Sequence, residues 1–386
     1  MTETVINYAT AKIGPAPAAP QAIDLSSADF QFVYHPDPNR FFRGPRPYRL
    51  FESKPSIATY HNAIYTPTVR QPKNRVGCLY DENLNRIEAS LVRRRRTDDL
   101  VNHDPERYPG NPKDLPVYDR PVLYIGEFRP HFGHFILESI AHWWGLTEEL
   151  GDIDRFLFHI SDPGILERPH VKACLAALGI DRSQMVSFDH PVRLRQAIVP
   201  GPSYQGESHI YRKYKEIYNK LSLALGADAA QTSDQPVYFS RTLHKHGVRE
   251  YVGEEHVEAF LAERGVRIVH PQLLPFVEQF RAVNEHKHII GFQGSQLTNI
   301  VGALEPKQVT YFTDEHAWGG CFLLNKCFDH TATFVKVCES DRVTETFYHR
   351  VMRRLTGRRV RRSEFLKAHR VDHEQTIAWL KASGIV

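Results

Sequence analysis

The sequence predicts an α/β protein with two Rossmann-like parallel-sheet halves and a small β element ahead of them. Three observations carry this reading. From Pro121 onward, apolar runs of strand length alternate with amphipathic helical segments. The alternation runs as two successive series. At 386 residues the chain exceeds the roughly 250–300 residues at which a single hydrophobic core stops growing. No internal repeat relates the two series, so they are alike in architecture only. The expected boundaries are an unstructured arm over 1–22, the β element with the first Rossmann-like domain over 23–225, the second over 226–345, and a basic helical segment over 346–386.

The arm is rich in alanine, proline and threonine and has no apolar period. "RVGCLYDENLNRIEASLVRR" reads as a hairpin around an Asp/Asn turn. The first series follows: "PVLYIG" is a buried strand, "HFILESIAHWWGLTEEL" a helix, "RFLFHI" a strand, "HVKACLAALGI" a helix ending near Gly179, and "QAIVPG" a strand. A helical stretch, "ESHIYRKYKEIYNKLSLALG", leads to the second series. There "QPVYFSR" is a strand, and "GEEHVEAFLAERG" is a helix with acids in its first turn and Gly265 at its C-terminal cap. "VRIVHP" is a strand, "LPFVEQFRAVNEH" a helix opened by Pro275, and "HKHIIGFQGSQLTNIVGALEPKQVTYFTD" reads as strand, glycine turn, helix and strand. Alternation of this kind implies βαβ units and parallel sheets.

Composition narrows the class. A hydrophobic fraction of 41% and a charged fraction of 24% are those of an ordinary globular protein. No window approaches the ~18 apolar residues of a spanning helix, and the N-terminus lacks a basic region followed by an apolar one, so a cytoplasmic location is expected. The five cysteines show no CxxC or Cys/His metal spacing and read as reduced, structural thiols. Net charge is only +4, but basic residues cluster at Arg93 to Arg96 and from His349 to Arg370. These runs read as solvated faces or, for Arg350 to Arg370, as a peripheral contact with an anionic membrane surface. Nucleic acid is not an expected partner, because no recognition motif accompanies the arginines.

Three stretches can carry chemistry. In open parallel sheets ligands bind outside the carboxyl ends of the strands, where a helix N-terminus offers free N–H groups to an anion. The turn from Gly291 to Ser295 sits at such an end, although it matches neither GxGxxG nor a Walker loop. "YFSR" delivers Ser240 and Arg241 to the end of a neighbouring strand, and a guanidinium fork suits a diphosphate. In "YIGEFRPHFGHFILE", His134 and Glu138 lie four apart and share one helix face, as a base and its orienting partner would. Each stretch also has a plain structural reading, as a turn, a surface ion pair and a helix cap. His131 and His134 have no identifiable third ligand, so no metal site is expected.

These stretches resemble glycosyltransferase family 61, whose blocks run "N-Y/F-G-H-F/W-L-x-E", "Y-I-S-R", "E-Q" and "G-x-H-G-A-x-L-T-N". The counterparts are "HFGHFILE", "YFSR", "VEQF" and "GFQGSQLTN". The resemblance spans about Arg75 to Val337. It implies a GT-B architecture, two Rossmann-like domains facing a cleft, with acceptor on the first and nucleotide-sugar on the second and no obligate metal. It implies His134 or Glu138 as the catalytic base and acceptor contacts at His131 and Gly133. Donor contacts are implied at Ser240, Arg241, Glu278, Gln293, Gly294, Ser295 and Asn299. The departures are His131 for the family's asparagine, Gln293 for its histidine, and Ser295 and Gln296 for smaller residues.

The resulting expectation is an inverting, metal-independent glycosyltransferase using a nucleotide-diphosphate sugar, UDP-linked, as co-substrate. Its acceptor would be a glycan or lipid-linked molecule in surface or capsular polysaccharide biosynthesis. The rival is a weak or inactive glycan- or nucleotide-binding protein on the same scaffold, for which Gln293 is the main argument, since glutamine cannot carry a proton or a charge. Specificity is expected in loops such as Ala317 to Asn325, and the C-terminal "HEQTIAWLKASGI" is expected as a helix crossing back onto the first domain.

Overall fold

The computed structural model describes residues 22–43, 47–70, 75–91, 93–94, 99–100, 104–160, 162–228, 232–243, 249–340 and 367–386. The expected arm, apart from Ala22, lies outside the described residues, as do Arg95, Arg96, the "HKH" at 244–246 and residues 341–366 of the basic segment.

The first sheet contains β1 (Ile57–Tyr65), β2 (Leu79–Tyr80), β3 (Val122–Phe128), β4 (Phe156–Ile160), β5 (Met185–Val186) and β6 (Val192–Pro200). Its order is β5-β4-β3-β6-β1-β2, with a short strand, Val117–Tyr118, beside β6. The four strands from β5 to β6 are parallel, and β1 and β2 extend the sheet antiparallel. Every residue of β3 is buried, which explains its apolar run from Val122 to Ile125. Leu123 and Ile125 enter one apolar cluster and Val122 and Tyr124 another, as the two-residue period of a strand requires.

The second sheet contains β7 (Val237–Phe239), β8 (Arg267–Val269), β9 (His288–Phe292), β10 (Gln308–Thr313) and β11 (Thr331–Lys336), in the order β8-β7-β9-β10-β11. All are parallel, and the N-terminal segment Gln31–Val33 adds a further parallel strand beside β11. Helix Glu254–Glu263 covers one face with Val257 and Leu261, and helix Phe276–Asn284 supplies Phe280 and Val283 on the other. A fully buried Leu or Phe contributes roughly 1.5–3 kcal/mol, so these faces pin the strand register.

The two halves share one core. The largest apolar cluster runs from Leu123 and Phe135 through Tyr214 and Tyr218 to Phe280 and Ile300. Helix Lys213–Ala224 ties them together: the Tyr214 hydroxyl donates to the carbonyl of Leu137 at 3.1 Å, and Ser222 to that of Gly302 at 2.8 Å.

The structure corrects several expectations. The segment read as one helix after "HFGH" is a helical turn at Phe132–His134, a π-helical stretch at Phe135–Ser139 and a 3-10 stretch at Ile140–Thr147. The glycine turn leads into a 3-10 helix, Ser295–Gly302. An apolar period buries nearly the same residues under all three hydrogen-bonding patterns and cannot separate them. The expected hairpin keeps its turn but only one bridge, Tyr80 to Arg86, because Leu79–Tyr80 joins the first sheet instead. The supposed loop from Ala317 holds the buried helix Gly319–Cys327. The C-terminal helix His373–Ala382 packs on Glu254–Glu263 of the second half rather than on the first, since Ile377 and Leu380 complete that apolar cluster. All five cysteines are buried and none is in a disulfide. Among the described residues, no helix is long and apolar enough to cross a membrane.

Candidate active site

In the second sheet the chain leaves β7 toward β8 on one side and β9 toward β10 on the other, so the order reverses between β7 and β9. Such a switch point opens a crevice at the carboxyl ends of its two strands. Those ends are Ser240–Arg241 and Gln293–Ser295.

Arg241 is fixed from three sides. Its amide donates to Glu254 Oε1 at 2.8 Å, its Nη1 donates to Gln296 Oε1 at 2.8 Å, and its Cζ lies 5.7 Å from the Tyr251 ring centre. Gly294 runs directly beneath the guanidinium: a methyl there would overlap Arg241 Nη1 and Gln296 Oε1, so the close approach requires glycine. Ser240 is buried, and its hydroxyl bonds the Glu258 carboxylate and lies 3.0 Å from Thr242 Oγ1. It secures the turn from inside. Glu254 is buried as well. Burial pushes its carboxyl up to about 7, against the pull of hydrogen bonds from the Arg241 amide and the Tyr238 hydroxyl.

On the other side of the crevice, Asn299 is fully buried and donates to Gln279 Oε1 at 2.9 Å and to the carbonyl of Gln296 at 3.0 Å. Its Oδ1 has no hydrogen-bond partner among the described residues. Gln279, not Glu278, is thus the member of "VEQF" that meets Asn299. Glu278 is half-exposed and pairs with Arg281 at 2.7 Å. Gln293 is buried and braces the next loop: with the amide oriented by its hydrogen bonds, nitrogen donates to the carbonyl of His316 at 3.1 Å and oxygen accepts from the Trp318 amide. Its backbone carbonyl accepts from the Tyr251 hydroxyl at 2.7 Å.

The first-half contribution begins with a bulge. The β3–β4 register shifts between Tyr124 and Glu127, and Gly126 takes a φ of +87°, a left-handed conformation that favours glycine. Glu127 and Arg129 are thereby buried at the strand end. Arg129 Nη1 lies 3.7 Å from Glu127 Oε2 and 3.9 Å from Glu138 Oε2, and burial lowers the pKa of its guanidinium. Glu138 Oε1 in turn lies 2.8 Å from His134 Nδ1. The chain Glu127, Arg129, Glu138, His134 runs from interior to surface: the Glu138 side chain is 15% exposed and that of His134 42%. With Arg129 beside Glu138 and Glu138 on Nδ1, the histidine would present Nε2 outward, as an oriented base must. His131 lies beside it, with ring centres 5.3 Å apart and the planes tilted by 59°.

The two half-sites meet. A Cβ built on Gly133 would lie 3.2 Å from Ser295 Cβ, and the rings of Phe132 and Phe276 are 6.2 Å apart. The "HFGH" turn therefore sits against the "GSQ" turn, with His134 and Glu138 on one flank and Arg241 and Gln296 on the other. The motifs do not point to Glu127, Arg129 or Glu254, and they carry Gln279 and Gln296 only as neighbours of the expected donor contacts. A signal existed for the first two, since charged residues at the end of an all-apolar central strand demand partners. Among the described residues, no group of three His, Cys, Asp or Glu side chains has the arrangement to hold a metal ion.

Residues 132–310, which contain both turns, match the family model for Glycosyltransferase 61. No curated protein matches the chain.

Proposed function

From the premise that this chain belongs to glycosyltransferase family 61 and is a glycosyltransferase, we propose that it transfers sugar from a nucleotide-diphosphate donor, UDP-linked, with inversion and without a metal. In this reading it has a GT-B arrangement, and the acceptor is a glycan or lipid-linked glycan of a surface polysaccharide. His134 Nε2 takes the proton of the acceptor hydroxyl while its Nδ1 stays on Glu138. The hydroxyl oxygen bonds to the anomeric carbon, the bond from that carbon to the phosphate oxygen breaks, and the diphosphate leaves. Arg241 and the amides of the Gly294–Ser295 turn meet the charge that develops on it. Asn299, held by Gln279, keeps that turn in place.

The observation that carries the reading is the contact between Gly133 and Ser295. It supports a single site with a base on one flank and a guanidinium on the other. The rival reading, a protein without catalysis, rested on Gln293. That side chain is bonded into the 316–318 loop, so its inability to carry a proton bears on loop position rather than on proton transfer.

The test is a thermal-shift panel of nucleotides and nucleotide sugars in excess chelator, because a ligand of the native state raises its apparent stability. UDP or a UDP-sugar is expected to shift the wild type and to leave Arg241→Ala unshifted. If no nucleotide shifts the wild type, the donor site is wrong. If both proteins shift equally, the role given to Arg241 is wrong.

A further inference from the structure

Outside this crevice lies a small four-stranded sheet, ordered Ala22–Asp24, Arg49–Phe51, His209–Tyr211, Tyr204–Gln205. Its registers pair Arg49 with His209, Phe51 with Tyr211 and Gln205 with His209, so these five side chains share one face. The intervening residues, Leu50, Ile210 and Tyr204, are buried in the main core. The first face lines a cavity of about 340 Å³ together with Arg93 and Ser208, toward the small end of the roughly 300–1,000 Å³ typical of ligand pockets.

The lining is aromatic and polar, and both of its arginines are already engaged by carboxylates. Phe51 and Tyr211 stack with ring centres 4.7 Å apart, and His209 meets both edge-on at 5.6 Å. Arg49 is paired with Asp24 at 3.1 Å, and Arg93 is paired with Glu88. Burial and the neighbouring Arg49 push His209 down to about 4, so its imidazole is neutral around pH 7, and its Nδ1 lies 3.2 Å from the Ser208 hydroxyl. A polyanion such as nucleic acid would have to compete with Asp24 and Glu88 for these arginines, the second carboxylate being shared with Arg86. A neutral sugar suits the site: its C–H face meets aromatic rings, and its hydroxyls both donate to and accept from Gln205, Ser208, His209 and the Arg–Asp pair.

The cavity is tied to the catalytic flank. Strand Tyr204–Gln205 packs beside Phe135–Ser139, and Ser203 donates twice to the carbonyl of Ala141. We propose that this face is a glycan-binding subsite, holding sugar units of the acceptor remote from the hydroxyl that reacts. The proposal rests on the reading of the first half as the acceptor side.

The experiment probes a printed array of neutral and acidic oligosaccharides with wild type, Phe51→Ala, Tyr211→Ala and Tyr211→Phe, with oligo-dT and UDP titrated in parallel. Wild type is expected to bind at least one glycan class. Each alanine variant should lose about tenfold or more, Tyr211→Phe should stay within about twofold, and UDP affinity should be unchanged throughout. Glycan binding that is absent in wild type, or equal in the alanine variants, overturns the subsite. Oligo-dT binding that needs the rings, with no glycan bound, overturns it in favour of nucleic acid. A wild type that binds glycan but not UDP leaves the subsite standing and removes the donor reading instead. Gln205→Ala, a smaller change on the same face, should also weaken glycan binding and serves where an aromatic variant fails to fold.

Discussion

Replacing Glu254 by glutamine should stabilise the protein, and only at neutral to alkaline pH. The carboxyl sits at the first turn of helix Glu254–Glu263, buried, accepting from the Arg241 amide at 2.8 Å and the Tyr238 hydroxyl at 2.9 Å. Glutamine retains an oxygen for both donors. Burial raises this carboxyl to about 7 from an ordinary 4.5, so the folded chain holds the proton more tightly than the unfolded one. Stability from this group is therefore full below about pH 4.5, falls as the pH climbs to about 7, and is level above. The loss is on the order of 3 kcal/mol at pH 8. A neutral glutamine escapes it. Urea unfolding followed by tryptophan fluorescence, at pH 5 and pH 8, should find the variant close to wild type at pH 5 and more stable by a few kcal/mol at pH 8. Other groups titrate in this range, so the difference between the proteins is the quantity to read. An equal difference at both pH values would refute the reasoning.

Three further outcomes follow from the site. Gly294→Ala places a methyl on Arg241 Nη1 and Gln296 Oε1; these side-chain ends can swing away, so the fold should survive while nucleotide affinity drops about tenfold or more by calorimetric titration. Arg129→Met leaves Glu127 and Glu138 without their shared buried cation and should cost about 3–5 kcal/mol in urea unfolding, partly recovered by adding Glu127→Gln. Glu138→Gln removes the charge that orients His134 and should lower kcat by roughly 10²–10⁴ with little change in donor KM; a fall in donor affinity alone would assign Glu138 elsewhere.

The central strands of both sheets were legible because they are apolar over most of their length, as Val122–Ile125 and Ile289–Phe292 show, whereas Ile57–Tyr65, Met185–Val186 and Thr331–Lys336 were not read as strands. Gly179, Gly226 and Gly265, each with φ between +68° and +77°, marked helix ends for the same local reason. What stayed hidden depends on contacts distant in sequence. Arg49–Phe51 pairs with His209–Tyr211 across about 160 residues, and Gln31–Val33 with Thr331–Lys336 across about 300. Neither segment announces its partner. At the site, the strand ends at Arg241 and Gly294 and the His134–Glu138 pair could be read from spacing. The choice of Gln279 over Glu278 could not, because it turns on which side of one helix faces Asn299. Nor could the inward course of Gln293, which its bonds to His316 and Trp318 in a later loop determine.

The account stands on the two turns forming one site, and a change in the first half read out in the second tests this most directly. Gly133→Val would press a branched side chain on Ser295, whose Cβ lies 3.2 Å from even a bare Cβ at that position. Calorimetric titration with the nucleotide that stabilises the wild type, expected to be UDP, should then show affinity lowered about tenfold or more. A folded Gly133→Val protein that binds the nucleotide as tightly as wild type would contradict the shared site.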